Sequence, residues 1–142
     1  SEQYPQGLGP TVPVLRNHSA VGATFDKTRF SAAAGFCDHV GINETTAADA
    51  HDGRDQVVLA GIESHVCMLQ TACDLLGRGF RVYVAEDASG SGIPRDHQIG
   101  MQRLRDAGVI ICSAESVAFE WCETAEAEEF RAISKLVRGL RT

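Results

Sequence analysis

The sequence predicts an α/β fold organised around a central parallel sheet. Short apolar runs rich in valine and isoleucine alternate with longer segments of helical periodicity, and turn-forming residues separate them. This alternation is typical of strand–helix–strand units, whose strands pair in parallel. The run Val57 to Gly61 is apolar throughout, as expected for a strand that helices cover on both faces in the middle of the sheet. Any active site is expected at the carboxyl edge of such a sheet.

The first half of the chain shows less regular alternation. Residues 1–15 contain three prolines and two glycines, a composition that predicts a loop rather than a helix or a central strand. Residues 20–27 are expected to form a short strand. A short helix is predicted from Phe30 to Val40, with Ser31 as its N-cap. Residues 41–55 are polar without periodicity, so we expect a surface connection there.

The second half of the chain alternates regularly between strand and helix patterns. The expected elements, in chain order, are the strand 56–61, the helix 65–77, the strand 80–86, the helix 95–107, the strand 109–112 and the helices 114–122 and 125–138. The run Gly77 to Gly79 suits a helix end, and Ser113 suits an N-cap. In the last helix, Phe130, Ile133 and Val137 fall on one face.

Bulk composition narrows the function classes. A chain of 142 residues forms one domain that is large enough for a hydrophobic core. Its formal net charge is -6 without a block of like charges, which argues against nucleic acid or an anionic membrane as a partner. No apolar run approaches the roughly 20 residues of a membrane span, and no signal peptide is visible.

Five cysteines without a CxxC pair predict no disulfide framework, so we expect a reducing, cytoplasmic location.

A turn between a strand and a helix carries the leading chemical candidate. The turn Ile62 to His65 links the strand that ends at Gly61 to the next helix, and Cys67 lies near the first turn of that helix. Such a unit exposes a side chain at the carboxyl edge of a sheet, with helix N–H groups directed toward it. The thiolate is the reactive form of cysteine, and a helix N-terminus or a nearby cation favours it. From the residues alone, a buried core cysteine is an equally good interpretation.

The motifs around this turn resemble one protein family. The string GIESHVCMLQTACDLLGRGFRVYVAEDA, together with SEQYPQGLG, DKTRFSA and ESVAFEW, is similar to the cysteine-hydrolase branch of the isochorismatase-like family, especially its isochorismatase-domain-containing subgroup. The resemblance covers nearly the whole chain and implies a three-layer sandwich with Rossmann-like topology. It also implies that a strand–helix–strand unit of the family is absent before this single domain, residues 1–142.

The resemblance assigns catalytic roles to Cys67 and Lys27. The family uses a triad of cysteine, lysine and aspartate; Cys67 matches the cysteine within GIESHVC, and Lys27 matches the lysine within DKTRFSA. The aspartate belongs to the family's first strand and lies outside the sequence. Under this interpretation Cys67 attacks a carbonyl or nitrile-like carbon and forms a covalent, thioester-type intermediate, while Lys27 favours the thiolate. Without the resemblance, Lys27 is better interpreted as an exposed surface residue.

Backbone N–H groups are expected to stabilise the oxyanion that forms in such a reaction. The N–H of Cys67 and those of the preceding turn suit this role. Relatives have a non-proline cis peptide in this turn, and by position it is the Ile62–Glu63 bond; the alternative is an ordinary trans turn. The Glu63 side chain either orients substrate or interacts with the helix N-terminus.

Four further residues are candidate substrate contacts: Tyr4, Phe30, Ser64 and His65. Ordinary packing explains Tyr4 and Phe30 equally well, and His65 is better explained as a hydrogen-bonded residue at the helix start. Asp87 is expected to cap the loop that follows its strand. The five histidines lack metal-ligand spacing and no nucleotide-binding motif occurs, so we expect neither a metal nor a cofactor.

The leading functional hypothesis is a cysteine hydrolase that cleaves an amide-like C–N bond of a small molecule. Isochorismate cleavage is less favoured, because family members with that activity generally lack the cysteine. The alternatives are a catalytically inactive oligomeric interaction protein and a ribonuclease, although the acidic balance and the lack of an aromatic–basic patch argue against RNA. The resemblance also implies a homo-oligomer, either a dimer or a tetramer.

Overall fold

The computed structural model describes residues 1–40 and 54–140. The strands are β1 (Glu2–Gln3), β2 (Asp26–Lys27), β3 (Gln56–Gly61), β4 (Arg81–Ser89) and β5 (Ile110–Cys112). The α-helices are α1 (Pro5–Leu8), α2 (Pro13–Arg16), α3 (Ala33–His39), α4 (Leu69–Gly77), α5 (Pro94–Asp106), α6 (Ala114–Cys122) and α7 (Phe130–Leu140). A π-helical turn, Ser64–Met68, connects β3 to α4. Most of the connection predicted at 41–55 lies outside the described residues.

The strand pairings of the described residues are all parallel. Strand β1 pairs with β2, which places Gln3 opposite Lys27. The larger sheet has the order β3-β4-β5, and a register shift after Leu59 places Gly61 opposite Ser89. Helices connect the strands of this larger sheet. The predicted α/β class with a parallel sheet is confirmed.

A hydrophobic cluster lies between the larger sheet and helices α3, α4 and α5. Val82 and Val84, two residues apart on β4, direct their side chains to the same face of the sheet. They meet Leu75 from α4 and Met101 and Leu104 from α5, and all five residues are less than 2 % exposed. Helix α6 contacts β4 outside this cluster. The helices therefore pack on the sheet in two separate sets, and the first set supports the turn that follows β3.

The N-terminal region is not the loop that the composition of residues 1–15 predicts. It contains β1 and the short helices α1 and α2. A proline occupies the first turn of each helix, where its fixed φ is favourable and its missing N–H costs nothing. The prolines therefore begin helices here. The strand predicted at 20–27 is also shorter, because only Asp26 and Lys27 pair with β1.

Four predicted elements of the second half have clearly different bounds or different neighbours. Strand β4 extends to Ser89, three residues beyond the predicted end at 86. The helix predicted at 65–77 is divided into the π-helical turn and α4. Helix α7 begins at Phe130 rather than near 125, because residues 124–129 form turns in which the Ala127 N–H donates to the Thr124 carbonyl and the Phe130 N–H to the Ala127 carbonyl. Strand β3 lies at the edge of the described sheet and not in its middle. Apolar residues on both faces of a strand indicate that helices cover it, but they do not show how many strands pair with it.

A side-chain cap fixes the start of one of the two helices for which a serine cap is predicted. The helix predicted from Phe30 to Val40 is shorter, α3 (Ala33–His39), and its N-cap is Ala32, which has no side-chain cap, rather than Ser31. The Ser31 hydroxyl accepts a local hydrogen bond from the Ala33 N–H at 3.2 Å. Ser113 and Ser116 form a reciprocal capping box at the start of α6, as the N-cap prediction requires. Asp87 lies within β4, and its carboxylate accepts from the Ala114 N–H at 2.8 Å. Asp87 therefore caps α6 and not the loop that follows its own strand.

Candidate active site

The turn that carries Cys67 begins at the carboxyl end of β3. Gly61 has φ +127°, a conformation that side chains rarely adopt. The next peptide bond, Ile62–Glu63, is cis, as the resemblance to the family implies. The π-helical turn follows, in which the Met68 N–H donates to the Glu63 carbonyl at 3.1 Å. Cys67 is the penultimate residue of this turn, and π-helical turns are frequent at functional sites.

A buried hydroxyl anchors the turn to the segment that precedes α5. Ser64 is fully buried, and its Oγ lies 2.6 Å from Ser91 Oγ and 3.0 Å from His97 Nδ1. Its backbone N–H donates to the Gly90 carbonyl at 2.8 Å. These bonds occupy the Ser64 side chain inside the protein, away from the cavity that Cys67 borders.

Glu63 and His65 belong to the same network. The Glu63 carboxylate accepts from the Gly92 N–H at 3.0 Å. His65 Nδ1 lies 2.9 Å from Ser91 Oγ, and its Nε2 lies 3.8 Å from the Asp96 carboxylate. Both side chains therefore hold the turn against the loop after β4. This is the hydrogen-bonded arrangement that the sequence analysis favours for His65.

Gln3 brings the side chains of Lys27 and Cys67 together. The Lys27 ammonium donates to the Gln3 amide oxygen, and the Cys67 sulfur lies 4.0 Å from that same oxygen. The Gln3 amide nitrogen donates to the Thr28 carbonyl at 2.9 Å, which fixes the orientation of the amide. The parallel pairing of β1 with β2 is what places Gln3 beside Lys27.

Two backbone carbonyls also accept hydrogen bonds from the Lys27 ammonium. The ammonium donates to the carbonyl oxygen of Arg29 at 3.1 Å and to that of Phe30 at 2.7 Å. In the described part of the chain, no carboxylate lies within ion-pair distance of Lys27. Among the described residues the ammonium is thus held in place by neutral oxygens, and one of these, the Gln3 amide oxygen, also contacts the Cys67 sulfur.

A cavity of about 480 Å³ lies in front of Cys67. Its polar wall includes Gln3, Lys27, Cys67 and Thr71. Its apolar wall comes from α1, α2, the end of β3 and the π-helical turn, and it includes Leu8, Val12, Leu15, Leu59, Ile62 and Met68. The sequence-predicted Cys67, Lys27 and Ile62 therefore border one space. The candidate contacts Tyr4, Phe30, Ser64 and His65 do not form part of this wall, so their contact with substrate stays a prediction.

Two ionisable side chains have shifted pKa values, one on the cavity wall and one at the end of β5. The Thr11 N–H donates to the Glu2 carboxylate at 2.9 Å and lowers the pKa of that carboxyl group on the cavity wall. Burial raises the pKa of the Cys112 thiol. Glu2 is therefore an anion at neutral pH, whereas the thiolate form of Cys112 is disfavoured.

Sequence reasoning missed Gln3 and Thr71. Gln3 lies in residues that were predicted to be a loop, and its contact with Lys27 depends on a strand pairing between distant residues. The spacing of Thr71 could have indicated its place in the site, because a residue four positions after Cys67 lies on the same face of a helix as Cys67.

The fold and the site define an α/β protein with a candidate nucleophilic cysteine at the carboxyl edge of its parallel sheet. The isochorismatase domain model matches residues 9–116, and the chain belongs to the isochorismatase family. It is 39% identical to isochorismatase domain-containing protein 1 of Danio rerio over 97% of this chain and 46% of that protein. It is 38% identical to isochorismatase domain-containing protein 2 of Bos taurus over 97% of this chain and 63% of that protein.

A solved structure supports the same assignment. The MAR1 ribonuclease from Caenorhabditis elegans superposes with a TM-score of 0.81 at 35% identity, over 96% of this chain and 66% of that one. The chain thus spans less than two thirds of the length of these relatives. Within residues 1–40 and 54–140, no helix has both the length and the apolar character that crossing a membrane requires. Those residues also form no cluster of three His, Cys, Asp or Glu side chains suited to a metal ion.

Proposed function

We propose that the protein is a cysteine hydrolase that cleaves an amide-like C–N bond of a small molecule. The observation that carries this proposal is the contact of the Lys27 ammonium and the Cys67 sulfur with one amide oxygen at the wall of a cavity. A cation beside a thiol favours the thiolate, which is the nucleophilic form. The cavity of about 480 Å³ lies within the range for small-molecule sites.

The reaction has two steps. The Cys67 sulfur adds to the substrate carbonyl carbon, and the carbonyl electron pair moves to oxygen, where N–H groups of the turn stabilise it. When the carbonyl re-forms, the C–N bond breaks and the amine leaves with a proton, giving a thioester. Water then adds to the thioester, the C–S bond breaks, and the carboxylic acid and the free thiol are released. In the family pattern an aspartate outside these residues transfers the protons.

A second candidate function is RNA cleavage. The relative with the TM-score of 0.81 is named a ribonuclease, and this name is the observation that favours it. The formal net charge of -6 opposes it, because binding to the phosphate backbone depends on Lys and Arg. The small-molecule hydrolase is therefore the function that the site supports better.

Alkylation kinetics test the proposal. The intact protein is treated with iodoacetamide at neutral pH, and the rate of labelling at each cysteine is followed by mass spectrometry. Cys73 is exposed and serves as the reference thiol within the same chain. Cys67 is expected to react at least about tenfold faster than Cys73, and Lys27→Met is expected to remove most of the difference. Equal rates at Cys67 and Cys73 would end the hydrolase proposal.

A substrate screen follows with matched variants. Small primary amides and a short single-stranded RNA are offered to the wild type and to Cys67→Ala. Release of amine by the wild type alone supports the proposal. Cleavage of RNA that persists in Cys67→Ala would favour the second candidate function and show that the cysteine is not required for it.

A further inference from the structure

A single buried hydroxyl connects the two halves of the candidate active site. Thr71 lies in α4, four residues after Cys67, and is 6% exposed. Its Oγ1 donates to the Cys67 carbonyl at 2.6 Å. The same oxygen accepts from the Ala32 N–H at 2.9 Å. The first bond is a local helical contact that threonine commonly makes, whereas the second joins residues 39 positions apart.

The Ala32 end of this connection belongs to the segment that holds Lys27. The Lys27 ammonium donates to the carbonyls of Arg29 and Phe30, so residues 27–30 fold around it. Ala32 follows two residues after Phe30 and is the N-cap of α3. A bond at the Ala32 N–H therefore fixes the position of the whole lysine segment relative to the helix that Thr71 occupies.

We propose that Thr71 is a positioning residue that aligns the Lys27 segment with Cys67. The inference deepens the proposed hydrolase function and rests on it. The hydroxyl proton is used on the Cys67 carbonyl and one of the two lone pairs on the Ala32 N–H, so the hydroxyl joins two backbone segments although Thr71 also borders the cavity. Because the electrostatic interaction of Lys27 with the sulfur weakens with distance, a small displacement of the lysine segment is expected to make Cys67 less reactive.

The test compares Thr71→Val with Thr71→Ser in the intact protein. Valine keeps the shape and removes the hydroxyl, whereas serine keeps the hydroxyl. The readout is the ratio of the Cys67 to the Cys73 alkylation rate with iodoacetamide at neutral pH. We expect Thr71→Val to lower the ratio by about tenfold and Thr71→Ser to stay close to the wild type.

A second pair of variants separates positioning from general loosening of the fold. Thr71→Val is repeated in the Lys27→Met background, where there is no ammonium to align. The valine variant is then expected to cause little further change in the ratio. An equal loss in both backgrounds would mean that Thr71 acts independently of Lys27, and would overturn the inference.

Other outcomes are equally decisive. An unchanged ratio in Thr71→Val refutes the positioning role while leaving the hydrolase proposal intact. A wild-type ratio near one refutes the proposed function itself, and the inference with it. If Thr71→Val does not fold, Thr71→Ala replaces it, and hydrogen exchange at the Ala32 amide of the wild type supplies an independent measurement. Exchange of that amide at the rate of an unstructured peptide would show that the bond is absent and refute the inference.

Discussion

Gln3 places a neutral oxygen in contact with both Lys27 and Cys67. Its amide oxygen contacts both side chains, and the bond from its amide nitrogen to the Thr28 carbonyl fixes which end of the amide faces them. A neutral oxygen leaves the positive charge of the ammonium available to the sulfur. A negative group at the same position would consume that charge and repel a thiolate, because unit charges about 4 Å apart interact strongly near a protein surface.

Gln3→Glu is therefore expected to slow alkylation of Cys67. The substitution keeps the size of the side chain and places a carboxylate between the ammonium and the sulfur. We expect the Cys67 rate to fall by about tenfold or more relative to Cys73, measured with iodoacetamide at neutral pH. Gln98→Glu, at an exposed position of α5, is the matched control. A Cys67 rate that is the same in both variants would contradict the assignment of Gln3.

Contact between helix α5 and the π-helical turn depends on one glycine. A Cβ atom at Gly100 would lie 2.9 Å from both the Cα and the backbone N of His65. These are backbone atoms of the turn that carries Cys67, so they cannot move away as a flexible side chain could. The close approach lets the α5 side chains meet the core beneath the turn.

Gly100→Ala is expected to push α5 away from this turn. We expect a loss of about 1–3 kcal/mol in the free energy of unfolding, together with slower labelling of Cys67. Gly77→Ala in α4 is the control, because no atom lies within 4 Å of its added Cβ. Urea unfolding of both variants, followed by circular dichroism, measures the difference. Equal stability of the two variants would show that the turn can move to accommodate the methyl group, and would contradict this prediction.

The capping box of α6 contributes a separate, local stabilisation. The Ser113 hydroxyl accepts from the Ser116 N–H at 3.1 Å, and the Ser116 hydroxyl accepts from the Ser113 N–H at 3.1 Å. Ser113→Ala removes one of these bonds and is expected to cost about 1 kcal/mol. Ser134→Ala, inside α7, is expected to change stability by less than about 0.5 kcal/mol. If the denaturant midpoint of Ser134→Ala were lower than that of Ser113→Ala, the role of the cap would be contradicted.

Sequence predicts those elements whose determinants are local. Helices α5 and α6 have apolar periodicity and, for α6, a cap at Ser113, so their bounds follow from the residues within them. Strands β1 and β2 contain two residues each and exist through their mutual pairing. The π-helical turn depends on tertiary bonds such as that of Ser64 with His97. The roles of Cys67 and Lys27 were predicted from the family motifs, while Gln3 requires the β1–β2 pairing that no local pattern shows.

At the scale of the whole molecule, paired charges hold the starts of neighbouring strands together. The Arg81 guanidinium donates to both carboxylate oxygens of Asp55 at 3.1 Å. The Arg81 backbone N–H also donates to the Asp55 carbonyl at 2.8 Å. This contact lies at the amino ends of β3 and β4, opposite the edge that carries Cys67. The contact stabilises the pairing of β3 with β4 and forms no part of the candidate active site.

The Asp55–Arg81 pair makes the stability of the fold depend on pH. The hydrogen bond from Arg81 lowers the pKa of Asp55 from its ordinary value of 3.8. A carboxyl group with a lowered pKa stabilises the folded state above its unfolded value, and this stabilisation is lost as the pH falls through the folded value. Asp55→Asn is therefore expected to be less stable than the wild type at pH 7 and equally stable once the pH lies below that range.

Thermal unfolding from pH 7 down to about pH 2 measures this difference, because the folded pKa of Asp55 lies below 3.8. Both side chains are about half exposed, at 56% for Arg81 and 43% for Asp55, so solvent screening keeps the difference small. Arg81→Gln is the matched background, because Asp55→Asn should have no pH-dependent effect once the guanidinium is gone. If the difference between wild type and Asp55→Asn grew as the pH fell, the sign of the linkage would be wrong and the pair would not stabilise the sheet.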